Sequence, residues 1–242
     1  MVSVHSEAQG NRKSSTHAKH TVLLKGGSME SRLHVKSSQM KNPSQCKLTR
    51  VTLLSPLGKI QAAGCGNGVH YIQLQEDAVP AERNEMASFA CVVCEGQEGM
   101  TAQLQLCTEW LQAYFCNPRT IEKLPLPALH HPIFQEVHCR IKRSGIWSLG
   151  PEGNLHAPTF TSRVLQTLLR DVKFGETVSY KHLAEMAGNS KAVRAVGGAM
   201  RRNPIPLLVP CHRVISCNGE IGNYMGGKGN HLKQWLLTHE KL

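Results

Sequence analysis

Apolar and polar positions first alternate and later recur at helical spacing, so the chain reads as a small sheet followed by helices. From Leu48, Val51 and Leu53 lead into the turn Ser55-Pro56-Leu57-Gly58, and Ile60 runs on to Gly64. Gly66-Asn67-Gly68 makes a second turn before Val69, Tyr71, Ile72 and Leu74. This predicts a three-strand meander. Residues 76–98 are acidic and irregular, and no element is predicted there. Thr101 to Phe115 predicts an amphipathic helix with Leu104, Cys107, Leu111 and Phe115 on one face. Pro118, Pro125, Pro127 and Pro132 then mark an extended connection.

Residues 136–158 scatter Gly145, Gly150, Pro151, Gly153 and Pro158 among charges and Trp147, which predicts a surface loop or linker. Thr161 to Val172 predicts a helix carrying Val164, Leu165, Leu168 and Leu169. Ser179 to Ala187 predicts a second, with Ser179 as its N-cap. Gly188-Asn189 breaks the pattern and Ser190 to Met200 predicts a third, so the last two read as a helix-turn-helix. In that third helix Ala192, Ala195, Gly197, Gly198 and Ala199 leave one face almost bare while Arg194 and Arg201 project. Each glycine costs about 1 kcal/mol relative to Ala inside a helix, so something should approach closely in return. Either another helix packs there, or the helix enters a DNA groove and Arg194 reaches the base stack.

Charge sharpens the division. The 242 residues carry a formal net charge of +11 and are 40% hydrophobic, enough for one large or two small domains. Residues 1–45 hold seven Lys or Arg against two acids, 46–158 nine against ten, and 159–242 twelve against five. The basic final segment suggests a polyanionic partner. Residues 1–45, rich in Ser, Lys, His and Gln, are expected to be a basic, disordered extension. With no run of eighteen apolar residues, no membrane partner is expected, and residues 1–20 lack the apolar core of a signal peptide. Nine cysteines is an odd number for a disulfide framework, which favours reduced thiols, metal ligands or a nucleophile.

The densest chemistry lies in Asn203-Pro204-Ile205-Pro206-Leu207-Leu208-Val209-Pro210-Cys211-His212-Arg213-Val214. Leu207–Val209 reads as a buried strand delivering Cys211, with pairing stopped at Pro210. Adjacent His and Arg are groups able to favour a thiolate. Alone, a Cys-His pair is weak evidence, since a cysteine buried in a core is commoner.

The wider pattern says more. Pro210-Cys211-His212-Arg213-Val214 resembles the active-site motif of the 6-O-alkylguanine-DNA alkyltransferases, the methylated-DNA–protein-cysteine methyltransferase family. Phe174-Gly175-Glu176 with Ser179-Tyr180, the run from Arg194 to Arg201, Gly222-Asn223-Tyr224 and the run from Trp235 to Glu240 resemble its mammalian members. With the run from Cys46 to Leu74, the likeness covers about 46–135 and 159–242.

The resemblance implies DNA repair by single-use, irreversible transfer of an alkyl group from the 6-oxygen of guanine to Cys211. His212 would remove the thiol proton through a bound water, oriented by Glu240. Tyr180 would protonate the leaving guanine, and Asn203 would brace the turn after the recognition helix. Arg194 would fill the gap left by the flipped nucleotide. Met200, Val214 and Tyr224 would line the pocket, and Thr161, Tyr180, Lys181, Asn189, Arg194 and Cys217 would contact DNA. Cys46, Cys65, His70 and His130 match structural zinc ligands, a donor set suited to tetrahedral zinc; no organic cofactor is implied. Double-stranded DNA carrying alkylated guanine, bound without sequence preference by a monomer in the nucleus, is the implied partner. A non-enzymatic helix-turn-helix or damage-sensing module is the alternative, which the presence of Cys211 disfavours.

The chain departs from the mammalian pattern in places. Met225 stands where Ser is usual, Lys181 replaces a Gln-like position, and about 21 extra residues separate Gln135 from Phe160. Glu240 falls at a helix end, where fraying is expected. Cys91-Val92-Val93-Cys94 has ligand-like spacing but apolar neighbours, and reads as a buried structural segment. The fold expected is an α/β N-terminal domain with a small antiparallel sheet (46–135), then the inserted loop (136–158). A helical C-terminal domain of winged helix-turn-helix type (159–242) follows.

Overall fold

A computed structural model describes residues 46–76, 78–80, 90–135 and 158–241. The expected extension at 1–45 and the inserted loop up to 157 lie outside the described residues. The meander forms as predicted, from β1 (Thr49–Ser55), β2 (Gly58–Cys65) and β3 (Gly68–Leu74), each antiparallel to the next. Both turns are set locally. Ser55 Oγ accepts the Leu57 N–H at 3.1 Å and donates to the Gly58 carbonyl at 2.9 Å. Gly68 lies so close to the 128–130 segment that a Cβ there would come within 2.5 Å of the Ala128 oxygen.

The stretch expected to be irregular contains a fourth strand, β4 (Val92–Glu95), which pairs antiparallel with β1 and makes the sheet order β3-β2-β1-β4. The Cys91–Cys94 run therefore puts three of its four residues in an edge strand and is not a buried segment. Cys91 is buried, with burial and the neighbouring Cys116 pushing its thiol up to about 12, whereas Val92 and Cys94 are exposed.

Against this sheet packs α1 (Ala102–Cys116). Thr101 caps it by accepting the Leu104 N–H at 3.3 Å, and the same hydroxyl donates to the Cys65 carbonyl at 3.2 Å. Leu104, Cys107, Trp110, Leu111, Tyr114 and Phe115 are buried on it. A 3-10 turn at Pro118–Lys123 and the short α2 (Pro132–Gln135) complete this half.

The second half holds α3 (Phe160–Asp171), α4 (Tyr180–Met186) and α5 (Val193–Arg201). Thr159 and Ser179 cap α3 and α4 by accepting the Ser162 and His182 N–H groups at 3.2 and 3.0 Å. The turn between α4 and α5 uses Gly188 at φ +83°, a conformation open to glycine. α5 starts three residues later than its apolar pattern suggests, because Asn189 first holds a turn. Its side-chain oxygen accepts the Lys191 N–H and its carbonyl the Ala192 N–H. A two-stranded parallel sheet, β5 (Val178–Ser179) and β6 (Val214–Ile215), and α6 (Asn230–His239) close the fold.

The predicted strand at Leu207–Val209 does not form. Leu207 sits at φ +72°, and only an isolated bridge joins Pro206 to Val209. Pro204, Pro206 and Pro210 lack the N–H donors that a ladder needs, so the segment folds as tight turns. Cys211–Arg213 follows as one 3-10 turn.

The two halves share a single apolar core. The Ile72 N–H donates to the Pro204 carbonyl at 2.9 Å, and His231 Nε2 meets the Ala78 carbonyl at 2.9 Å. α2 packs directly on α3, so the chain leaves and re-enters at neighbouring helices. Deleting 137–157 would leave four Cα steps from Gln135 to Phe160, a reach of at most about 14 Å. The shortened protein is expected to keep its helical circular dichroism and to express at equal or higher yield; loss of that signal would make the insert part of the core.

Candidate active site

Cys211 opens the 3-10 turn and is 5% exposed. Its thiol points toward Tyr224 Oη at 4.0 Å. Burial pushes the thiol up, against the hydrogen bonds of Asn203 and Tyr224 and the charge of Lys233. The resting sulfur is therefore a thiol and needs a base before it attacks. The neighbouring charges do not turn toward it as sequence adjacency suggests. Arg213 points away, donating from Nε and Nη2 to Glu240 at 2.7 and 3.0 Å and from Nη1 to the Val172 carbonyl at 2.9 Å.

His212 is fully buried, with Nε2 2.7 Å from Glu240 Oε1. Its Nδ1 has no protein hydrogen-bond partner among the described residues. Burial lowers its proton affinity, and the attraction of Glu240 only partly restores it. The imidazole is thus neutral, one nitrogen committed to the carboxylate and the other open to take a proton. Glu240 does not fray; it is 3% exposed. Burial alone would raise its carboxyl, but the hydrogen bonds of His212 and Arg213 and the charge of Arg213 hold it well below the usual carboxylate range.

Asn203 closes the turns before Cys211. Its Nδ2 donates to the Val209 carbonyl at 2.8 Å and its Oδ1 accepts the Ile205 N–H at 3.1 Å. Tyr180, at the start of α4, is half-buried; burial, and the Cys211 sulfur once ionised, push its phenol up, so it stays a proton donor. The structure gathers Cys211, His212, Tyr224, Val214 and Glu240 into one buried site, with Asn203, Tyr180 and Met200 half-buried. Lys181, Asn189, Arg194 and Cys217 are exposed, whereas Thr161 is half-buried and accepts a bond from Arg202 Nη2 at 2.8 Å.

The small-residue face of α5 is only partly covered: Gly198 and Ala199 are buried, but neither glycine is needed for that packing. A Cβ at Gly197 would meet nothing within 4 Å, and one at Gly198 would touch only the Arg202 guanidinium, at 3.5 Å or more. Any close approach there comes from outside the described chain, which sets aside the helix-packing explanation for these glycines.

Sequence reading missed two residues of the site. Lys233 is 1% exposed, donates to the Val214 carbonyl at 2.7 Å and lies 5.9 Å from the Tyr180 ring centre. Burial lowers its ammonium to about 8. Its signal was available: a Lys among Leu232, Leu236 and Leu237 on the apolar side of a helix. Tyr114 Oη donates to Glu240 Oε1 at 2.7 Å, but in the sequence it is one more apolar position of α1.

The four expected metal ligands form a second cluster, remote in sequence from Cys211. Cys65 Sγ lies 3.2 Å from both His130 Nδ1 and His70 Nε2, these nitrogens are 3.0 Å apart, and Cys46 Sγ is 3.8 Å from His130 Nδ1. All four donor atoms lie within 4.8 Å of one another. Zinc bond lengths imply edges of roughly 3.3–3.8 Å in a tetrahedron, so the set fits the ion with small adjustment. Burial lowers both imidazoles, His70 with help from His130, which favours the neutral form that ligates.

Comparison with known proteins agrees with this geometry. The family model for the 6-O-methylguanine DNA methyltransferase DNA binding domain matches residues 159–242, and that for its ribonuclease-like domain matches 49–128. The chain is 48% identical over 195 residues to the methylated-DNA–protein-cysteine methyltransferase of Rattus norvegicus, covering 81% of this chain and 83% of that one. For the Homo sapiens protein of that name the figures are 45%, 81% and 81%. Among solved structures, Mycobacterium tuberculosis O6-methylguanine methyltransferase is similar with a TM-score of 0.52 and 26% identity, over 81% of this chain and 93% of that one. The complex of Mycobacterium tuberculosis OGT with DNA gives 0.51 and 25%, over 79% and 92%. The chain belongs to the methylated-DNA–protein-cysteine methyltransferase family.

Proposed function

We propose that this protein repairs DNA by moving the alkyl group of a 6-O-alkylguanine onto Cys211, once per molecule. The observation that carries this reading is the buried Cys211 thiol beside a neutral His212 whose Nε2 is fixed to Glu240 at 2.7 Å and whose Nδ1 is open. His212 takes the thiol proton on Nδ1, with a water as relay. The sulfur then attacks the alkyl carbon, the carbon–oxygen bond breaks, and its electron pair stays on the guanine oxygen. Tyr180 supplies the proton that neutralises the guanine, and the tyrosinate recovers one from the imidazolium. The product is a thioether, which water does not hydrolyse, so the acceptor is spent.

The reacting oxygen faces the base-pairing edge of guanine, so the nucleotide must leave the stack. The small-residue face of α5 lets that helix approach the groove, and Arg194 takes the place of the departed base. Thr161, Lys181, Asn189 and Cys217 contact the backbone, and Met200, Val214 and Tyr224 line the pocket. Half-buried Met225, at φ +49°, sits at the rim beside Tyr224. We place the activity in the nucleus, on double-stranded DNA, without sequence preference and as a monomer.

Cys46, Cys65, His70 and His130 would hold zinc, which supplies a structural clamp between β2, β3 and the 128–130 segment and no chemistry at Cys211. Cys46→Ser or His130→Ala is expected to lower the melting temperature and the zinc content while transfer persists. Metal analysis finding no zinc in native protein purified without chelators removes this assignment.

Cys211→Ala is expected to bind DNA within a few fold of wild type and to gain no methyl mass with methylated duplex, where wild type gains one methyl mapped to the Cys211 peptide. A wild-type protein that binds the lesion without gaining mass would be a sensor.

Arg194→Ala is expected to slow single-turnover transfer from duplex DNA by about tenfold or more, since base flipping costs a few kcal/mol. The loss should shrink with the methylated base offered free. Equal losses on both substrates would assign Arg194 to the pocket or the fold.

A further inference from the structure

The reaction proposed above needs His212 to be a base of suitable strength, and one residue from the other half of the chain is built into that pair. Tyr114 lies on α1 and is 0% exposed. Its Oη donates to Glu240 Oε1 at 2.7 Å, the oxygen that also meets His212 Nε2 at 2.7 Å and Arg213 Nη2 at 3.0 Å. Glu240 Oε2 accepts from Arg213 Nε at 2.7 Å and from the Gly175 N–H at 3.3 Å. The Tyr114 carbonyl accepts from His239 Nε2 at 2.7 Å, so one tyrosine grips two successive residues at the end of α6. Its ring stacks on Trp110 at 5.3 Å and stands edge-on to His212 at 6.5 Å and to Phe174 at 5.9 Å.

A tyrosine that only filled the core could satisfy its hydroxyl on a neutral carbonyl. This one donates to the anion that orients the base, in a site closed to water, where hydrogen bonds to charged groups are strong. Each donor on Glu240 draws charge from the carboxylate and leaves less to stabilise a protonated His212. We propose that Tyr114 is a positioning residue of the transfer reaction, which fixes Glu240 on His212 and limits how strongly that imidazole holds a proton. It acts through Glu240 and does not touch the alkyl group.

The ionisable groups facing the pair come from every element around it. They are Cys211 and Arg213 from the same turn, Tyr114 from α1, Lys233 and His239 from α6, and Tyr224 before the glycine loop. Burial and the Glu240 contact push the Tyr114 phenol well up, so it remains a donor. The acid limb of the transfer rate therefore follows His212, which is active when neutral and is lost as pH falls through its proton affinity.

Tyr114→Phe removes one donor and leaves Glu240 a stronger partner for imidazolium. His212 then protonates at higher pH, and the acid limb of single-turnover methyl transfer should move up by about half a unit to one unit. The rate at neutral pH should fall several-fold as Glu240 loses its anchor. Because the Phe variant can lose stability, 3-fluorotyrosine placed at position 114 alone provides a shape-preserving second probe. Its hydroxyl is the better donor, so the limb should move the opposite way, to lower pH. Opposite shifts support the assignment. A limb unmoved in both proteins, with only the melting temperature changed, makes Tyr114 a core residue and overturns it. Wild-type transfer without an acid limb, or unchanged by His212→Gln, overturns both this inference and the base assignment on which it rests.

Discussion

A single buried carboxylate organises this molecule. Glu240 lies in a site with almost no water access, and an ionised group there is tolerated only when its lone pairs are filled. Its donors come from α1, from the loop at Gly175 and from the Cys211–Arg213 turn, while His239 of its own helix bonds the Tyr114 carbonyl. Removing one partner of such a buried ion pair typically costs about 3–5 kcal/mol. The positions of α1 and α6 are therefore tied to the geometry of the base, and the apolar core is arranged around that tie. The metal-ligand cluster holds the far end of the same arrangement, since the Thr101 cap of α1 bonds the carbonyl of Cys65, itself one of the proposed ligands.

Recognition and chemistry occupy opposite kinds of environment. The exposed residues of α4 and α5 include Lys181, Arg194, Ala195 and Arg201, cations and a small side chain that suit a charged, water-rich surface. The reacting groups lie below them in the core, where a thiol stays protonated and an imidazole stays neutral. Asn203 and the proline-bounded turns from 204 to 210 link the end of α5 to Cys211. Those turns replace the strand that the apolar run Leu207–Val209 suggested.

What the sequence made legible was local. Turn residues at Ser55–Gly58 and Gly66–Gly68, and the cap at Ser179, act within three or four positions, so pattern alone locates those elements. The fourth strand was hidden because Val92–Glu95 is short and its partner β1 lies about forty residues earlier. Leu207–Val209 has the composition of a strand, but the prolines around it deny the ladder and put Leu207 at positive φ. Tyr114 has the spacing of a core residue and is one; only the position of Glu240, 126 residues further on, gives its hydroxyl a second role. The chemical roles within the site came mostly from resemblance, because a Cys-His pair carries little by spacing alone.

The eight cysteines among the described residues divide by accessibility, with Cys94, Cys116 and Cys217 at the surface and Cys211 inside. Thiols react with dissolved peroxides and stray alkylating agents as exposed thiolates. The surface cysteines therefore meet such reagents first, while the acceptor is shielded both by burial and by its proton. For a molecule that can react only once, this shelter sets its shelf life: the sulfur is kept from incidental damage during the time spent searching for a lesion.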